Sequence, residues 1–225
     1  MKALCREAQK SNAQVANDPK VVVSGESQKI SPLFFGVNTL YWIEDDRRRD
    51  DPQFVDRLKR LKIAIMGYPG GEVADNFDWQ SNRLDNPRSF PYSHGSEDAQ
   101  ARMDFDEFIR WKNKIGSEAI LVVNLEEGFV SGDLEAAARR AAAWVRYANI
   151  THHYGVKYWE IGNESYHLGT RYALTSKEYA KALKLFSQKM KAVDPSIKIG
   201  AIGPWGVIAP PNNNLKHVII RAWKK

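Results

Sequence analysis

Five times along the chain a short apolar run is followed by a longer stretch with apolar residues at helical spacing, and this alternation leaves few architectures open. The short runs are Leu33-Phe34-Phe35-Gly36-Val37, Ile63-Ala64-Ile65-Met66, Ala119-Ile120-Leu121-Val122-Val123, Val156 to Ile161 and Ile197 to Ile202. Each is near-continuously apolar, as expected of strands covered on both faces. Helices are predicted at Phe54 to Leu61, about Ala99 to Ile115, along the face Leu134, Ala138, Ala141, Val145 and Ala148, from Tyr179 to Val193, and at Leu215 to Trp223. Asp133 can cap the third of these, and Thr175-x-x-Glu178 is a capping box for the fourth, which Asp194-Pro195 ends. Such alternation predicts a parallel sheet with right-handed crossovers. The doubly wound open sheet and the (β/α)8 barrel both satisfy it.

Composition narrows function mainly by exclusion. The 225 residues carry 33 Lys+Arg and 27 Asp+Glu, a net charge of +6, but cations and acids alternate, as in Glu44-Asp45-Asp46-Arg47-Arg48-Arg49-Asp50-Asp51. No basic face accumulates, so no nucleic-acid partner is expected. Cys5 is the single cysteine, which excludes an internal disulfide and a cysteine-based zinc site. His152-His153, adjacent at a helix end, point in different directions and read as a solvated terminus; no metal or cofactor is implied. No run approaches the roughly 18 apolar residues of a membrane span. Met1 to Lys20 is polar without the apolar core of a signal peptide. Residues 1–29 read as a polar lead-in and 30–225 as the organised domain.

In either architecture the working residues lie just past the carboxyl ends of the strands. Asn38-Thr39-Leu40-Tyr41-Trp42 follows the first strand; Tyr68-Pro69-Gly70-Gly71-Glu72, then Asp75, Asp78 and Trp79, follow the second. Asn124 with Glu126 and Glu127 follows the third, Trp159-Glu160-Ile161-Gly162-Asn163-Glu164 with Tyr166 and His167 closes the fourth, and Gly203-Pro204-Trp205 the fifth. Aromatic rings stack on the C–H faces of sugars, while carboxylates and amides hydrogen-bond their hydroxyls. Neither G-x-G-x-x-G nor G-x-x-x-x-G-K-[ST] occurs, which weakens the nucleotide-binding sheet and favours the barrel. Glu164, crowded by Tyr158, Trp159, Tyr166 and His167, is expected to have a raised pKa suited to a general acid, or else to be a helix-capping glutamate. Trp79 is a sugar platform or simple packing. Glu126 and Glu127 read as loop charges, and Asn149-Ile150-Thr151 fits the glycosylation pattern at a helix end.

The stretch Tyr158-Trp159-Glu160-Ile161-Gly162-Asn163-Glu164 resembles the Trp-Glu-Ile-Gly-Asn-Glu motif of clan A glycoside hydrolases, most closely the alpha-L-arabinofuranosidase family. Asp106-Glu107-Phe108 leading to Leu121-Val122-Val123-Asn124-Leu125, and Tyr179-Ala180 through Asp194-Pro195-Ser196-Ile197-Lys198, are similar to that family too. The resemblance covers about residues 33 to 205. It implies that Glu164 is the general acid/base, that Asn163 hydrogen-bonds the sugar hydroxyl next to the anomeric carbon, and that Tyr68, Gly70, Gly71, Trp79 and Asn124 shape the subsite. Trp159 and Tyr166 flank it. Glu72 stands where the family has an asparagine, and Gly67 where it has an arginine. The family's nucleophile glutamate comes from strand seven, and retaining hydrolysis needs two carboxylates about 5 to 5.5 Å apart.

The expected fold is therefore an incomplete (β/α)8 TIM-type barrel of about the first five units. Three functional readings follow. One is the N-terminal part of a retaining glycosidase for plant or algal oligo- or polysaccharide, with the acid/base present and the nucleophile missing. The second is a non-catalytic carbohydrate-binding or assembly protein whose open sheet edges are covered by self-association. The third pairs Glu164 with Glu72 or Glu127, or is a lyase. The substrate class favours a secreted or periplasmic setting, and no membrane partner is expected.

Overall fold

The computed structural model describes residues 25, 29–39, 46–84, 103–166 and 173–203. The chain divides into two units, 1–31 and 32–225, and the second holds the sheet and its helices. In chain order it contains β1 (Gly36–Asn38), α1 (Asp46–Asp50), α2 (Pro52–Arg60), β2 (Ile65–Tyr68), a 3-10 turn (Gly71–Asn76) and a hairpin of β3 (Phe77–Asp78) and β4 (Arg83–Leu84). Then come α3 (Phe105–Ile115), β5 (Glu118–Val123), α4 (Glu126–Val130), α5 (Leu134–Val145), β6 (Tyr158–Ile161), α6 (Ser176–Val193) and β7 (Lys198–Ala201).

Side-chain caps set where the helices begin. Asp104 opens α3: its carboxylate accepts the Glu107 N–H at 2.7 Å while Glu107 accepts the Asp104 N–H at 2.8 Å. Thr175 and Glu178 form the same reciprocal box ahead of α6. Asp133 accepts the Ala136 N–H at 2.8 Å to start α5, and Pro52 begins α2 at the position where its missing N–H costs nothing. Past Val145 the chain widens into a π turn, Arg146–Thr151.

The five main strands are all parallel and stand in the order β1-β2-β5-β6-β7, each beside its predecessor. A doubly wound sheet reverses its strand order at a switch point; this one never reverses, which is the order of a barrel wall.

Register separates the two faces. Tyr68, Leu121, Trp159 and Ile199 lie in one cross-strand row, with Met66–Ala119 and Val123–Ile161–Ala201 on the same side. This face meets the helices, and Met66, Tyr68, Leu121 and Ile161 are wholly buried. Trp144 of α5 joins it to the helices, stacked on Trp79 at 5.7 Å and edge-on to Trp159 at 5.7 Å and to Phe105 at 5.3 Å. The opposite face carries Ile65, Ile120, Tyr158 and Glu160, all half-buried, and the exposed Lys198.

Covering on both faces is thus not what the described residues show. Their second face is the side on which a barrel packs its interior, and it is only half covered. The first strand also differs from expectation: Leu33 and Phe34 lie in a 3-10 turn, Phe34 and Phe35 are 75% and 60% exposed, and the strand begins at Gly36. As a sheet edge, it has one neighbour, β2. Strand two starts two residues later than its apolar run. The short helices α1 and α4 and the β3–β4 hairpin carry too few periodic positions to be seen in sequence. Expectations for residues 1–24, 26–28, Tyr41, Trp42, Ala99 to Arg102, His167, Pro204, Trp205 and Leu215 to Trp223 lie outside the described residues.

Candidate active site

The end of β6 turns sharply. Gly162 has φ 73°, and a Cβ there would stand 2.8 Å from Ser165 Oγ and 3.1 Å from Leu125, so only glycine fits. Two residues on, Glu164 is held at φ 41°, a left-handed conformation that costs a non-glycine residue energy and is kept only where surroundings enforce it. Those surroundings are visible. The Gly162 N–H donates to Val123 O at 3.1 Å, the Asn163 N–H to Asp75 Oδ1 at 3.0 Å, and the Leu174 N–H to Ser165 O at 2.6 Å. The Tyr179 hydroxyl donates to Ile161 O and accepts the Ile202 N–H, each at 2.9 Å, tying α6 to the ends of β6 and β7.

The end of β2 is built by close approach. The Gly70 N–H donates to Thr39 O at 2.9 Å, and a Cβ on Gly70 would meet that oxygen at 2.5 Å and Asn38 Cβ at 2.9 Å. Gly71, at φ 66°, then starts the 3-10 turn that carries Glu72 and Asp75. Asn124, at the end of β5, accepts the Glu127 N–H at 3.1 Å and donates to Phe77 O at 3.5 Å, so it ties the first turn of α4 to the hairpin.

Asn163, Glu164, Asn124, Gly70, Gly71 and Glu72 therefore all stand at the carboxyl ends of β2, β5 and β6. The aromatic side chains of Tyr68, Trp159 and Tyr166 are buried instead, and that of Trp79 is half-buried. Tyr68 is wholly buried on the helix side, stacked 4.6 Å from Phe108, its hydroxyl donating to Met103 O at 3.0 Å. Trp159, 1% exposed, donates to Val156 O at 3.1 Å, and Trp79 donates to Arg140 O at 3.4 Å while stacked on Trp144. Tyr166 is buried. Strand alternation explains this: Tyr68 and Trp159 share a register row whose side chains face the helices.

The carboxyls that burial affects are three the sequence did not single out as acids of the site. Asp75 is 2% exposed; burial, then the nearby carboxylates of Glu126 and Glu72, push its pKa well up against the opposing hydrogen bonds from Asn163. Glu126 is 1% exposed at the start of α4, and Glu127 pairs with Arg140 at 2.5 Å, so neither is a loop charge as expected. Glu160, on the half-open face of β6, is pushed up by burial alone. The only sequence signal for Asp75 was its apolar setting, Val73-Ala74 before it and Phe77 after.

A carboxyl whose folded pKa is raised binds its proton more tightly in the folded state. Its contribution to stability is full below the unfolded pKa and falls as pH rises through the folded one. Glu160→Gln is accordingly expected to melt higher than the parent at neutral pH, with the gap closing as pH falls through the raised folded pKa of Glu160 towards the ordinary glutamate range. Thermal melts across that range check it; a gap that does not change with pH refutes it.

Elsewhere, the Asn149 side chain is fully engaged, donating to Val156 O at 2.9 Å and Asp194 Oδ2 at 2.7 Å and accepting the Val156 N–H at 2.8 Å, so the sequon amide is occupied in the fold. Exposed His152 stacks on Tyr154 at 5.2 Å and lies tilted against Tyr147 at 4.2 Å. Among the described residues no group of three or more His, Cys, Asp or Glu could hold a metal, and no helix is long and apolar enough to cross a membrane.

An unreversed parallel sheet with acids and amides at its carboxyl edge defines the class, a (β/α)8-barrel wall bearing part of a strand-end site. The alpha-L-arabinofuranosidase 1 domain matches residues 57–217, and the chain belongs to that family. It is 27% identical over 183 residues to a probable alpha-L-arabinofuranosidase C of Aspergillus clavatus, covering 74% of this chain and 35% of that protein. It is 28% identical over 167 residues to an intracellular exo-alpha-(1->5)-L-arabinofuranosidase of Bifidobacterium longum, covering 69% and 29%. Among solved structures, the alpha-L-arabinofuranosidase of Thermotoga maritima in an arabinose complex aligns with TM-score 0.57 at 25% identity, covering 75% of this chain and 40% of that one. The chain thus spans about a third of the length of the curated relatives it matches.

Proposed function

We propose that this chain carries the acid/base half of a retaining glycoside hydrolase site of alpha-L-arabinofuranosidase type, directed at arabinose-bearing plant or algal polysaccharide. Glu164 protonates the departing glycosidic oxygen and later deprotonates the attacking water; Asn163 hydrogen-bonds the hydroxyl next to the anomeric carbon. The observation that carries the reading is the turn Gly162-Asn163-Glu164, pinned at the end of β6 by Val123 and Asp75 with Glu164 in a strained conformation. Gly70, Gly71, Glu72 and Asn124 border it. On this reading the nucleophile carboxylate comes from beyond the five strands described here. Glu127 is a poor substitute for it, since its carboxylate is held by Arg140.

A second reading, carbohydrate binding or self-assembly without turnover, draws on the half-open face of Ile65, Ile120 and Tyr158 and on the sheet edges β1 and β7. The burial of Tyr68 and Trp159 weighs against it, because a binding module would offer such rings to the sugar. Hydrolysis of a nitrophenyl glycoside panel, by the chain alone and joined to the rest of a family barrel, separates the two. Turnover confined to the joined protein and selective for the alpha-L-arabinofuranoside supports the enzyme reading. Sugar binding with no turnover in either form overturns it.

A further inference from the structure

Asp75 is a buried acid to which the proposed reaction gives no step. Removing a carboxyl from water is costly unless hydrogen bonds replace the lost hydration, so a residue kept at 2% exposure has partners that matter to it. Among the described residues those partners belong to a single residue: the Asn163 backbone N–H donates to Oδ1 at 3.0 Å, and the Asn163 side-chain amide stands near enough to the same carboxyl group to oppose the rise in its pKa. The bond spans 88 positions in sequence, linking the 3-10 turn after β2 to the turn after β6. Among the described residues the other titratable groups within electrostatic reach are Glu126 of α4, Glu72 of the same 3-10 turn and Tyr179 of α6.

While Asp75 is ionised its carboxylate has no donor, and in that state this decides the orientation of its partner. An amide that hydrogen-bonds it must turn Nδ2 towards it, which directs Oδ1 away. We propose that Asp75 is a positioning residue: by holding both the backbone N–H and the side-chain amide of Asn163, it turns Asn163 Oδ1 towards the ligand and fixes the strained turn that carries Glu164. The ligand then meets an acceptor at Asn163, so a sugar hydroxyl must donate to it. The identity of that ligand rests on the arabinofuranosidase reading; the hold of Asp75 on Asn163 does not. Protonation of Asp75 weakens the hold, because a neutral carboxyl is a poorer acceptor and brings a donor of its own.

Nuclear magnetic resonance of the 15N-labelled full chain tests this. In the parent protein the backbone and side-chain amide signals of Asn163 should shift with pH, with a midpoint above the ordinary carboxylate range. Asp75→Ala should speed exchange of the Asn163 amide about tenfold or more, the equivalent of one charge-assisted hydrogen bond. Asp75→Asn, which keeps an acceptor oxygen, should restore much of the protection and abolish the pH dependence. Affinity for L-arabinose should fall with Asp75→Ala and partly recover with Asp75→Asn. Unchanged Asn163 exchange in Asp75→Ala overturns the proposal, as does an Asp75→Asn protein whose Asn163 signals still titrate, and the latter decides even if the alanine variant does not fold. Asn163 signals that behave as expected in a chain that binds no arabinose support the hold of Asp75 and overturn only the sugar reading.

Discussion

Glu164→Gln is expected to lower alpha-L-arabinofuranoside turnover about 10²–10⁴-fold in a protein that joins this chain to its remaining barrel, the range supplied by one general acid or base. Glutamine keeps the shape of the side chain and its hydrogen bonding but can neither give nor take the proton. The loss should therefore be largest for alkyl arabinosides, whose leaving oxygen needs protonation, and smaller for nitrophenyl arabinosides, whose leaving group departs unaided. Glu164→Ala should in addition respond to azide, an anion that attacks the glycosyl-enzyme without base assistance, with turnover of the nitrophenyl substrate rising as azide is added. A Glu164→Gln enzyme with parental activity on both substrate types would assign the acid/base to another residue. Glu72 is then the first to test, since it lies at the same edge in the 3-10 turn after β2.

Trp144→Ala is expected to cost about 3–5 kcal/mol of stability, the range for removing a large aromatic side chain from a core. Trp144 is 2% exposed and its ring contacts those of Trp79, Phe105, Trp159, Tyr68 and Phe77, so one substitution opens a cavity between α5, α3, the hairpin and two strands. The neighbours are rigid rings and cannot collapse into the gap, which places the cost high in the range. Trp144→Phe keeps part of the stack and should cost less. Denaturant unfolding checks both, and a loss under about 1 kcal/mol for the alanine variant, the size of an ordinary point substitution, would show that this aromatic cluster does not hold the helices to the sheet.

The parallel sheet was legible because its signal is periodic: five apolar runs with amphipathic stretches between them need no side-chain detail to be recognised. The order of the strands was not in the periodicity. It followed only from the missing nucleotide motifs and the resemblance, and the unreversed pairing β1-β2-β5-β6-β7 supplies the physical reason. The capping signals at Asp133 and Thr175 located helices because capping is local, and Asp104-x-x-Glu107 would have placed the start of α3 equally well.

The site was legible by position and not by orientation. Asn163, Glu164 and Asn124 could be assigned to strand ends from the chain alone. Tyr68 closes its strand and Trp159 lies within one, but which face a strand residue takes depends on register, and register put both against the helices. Asp75 was named only by its place after a strand and Glu126 was read as a loop charge, for a different reason: their importance lies in burial and in contacts between segments far apart in sequence. An acid flanked by apolar residues after a glycine turn is a weak local signal, and only the fold brings Asp75 to Asn163.

The most direct test of the central claim is to titrate the labelled full chain with a cationic iminosugar of L-arabino configuration, whose ammonium resembles the positive charge that develops at the sugar during glycoside cleavage. The amide signals expected to move are those of Asn163, Glu164, Gly71 and Asn124, and Glu164→Gln should weaken binding about tenfold or more, the loss of one charge-assisted contact. Perturbations elsewhere on the chain, or equal affinity in Glu164→Gln, would contradict it.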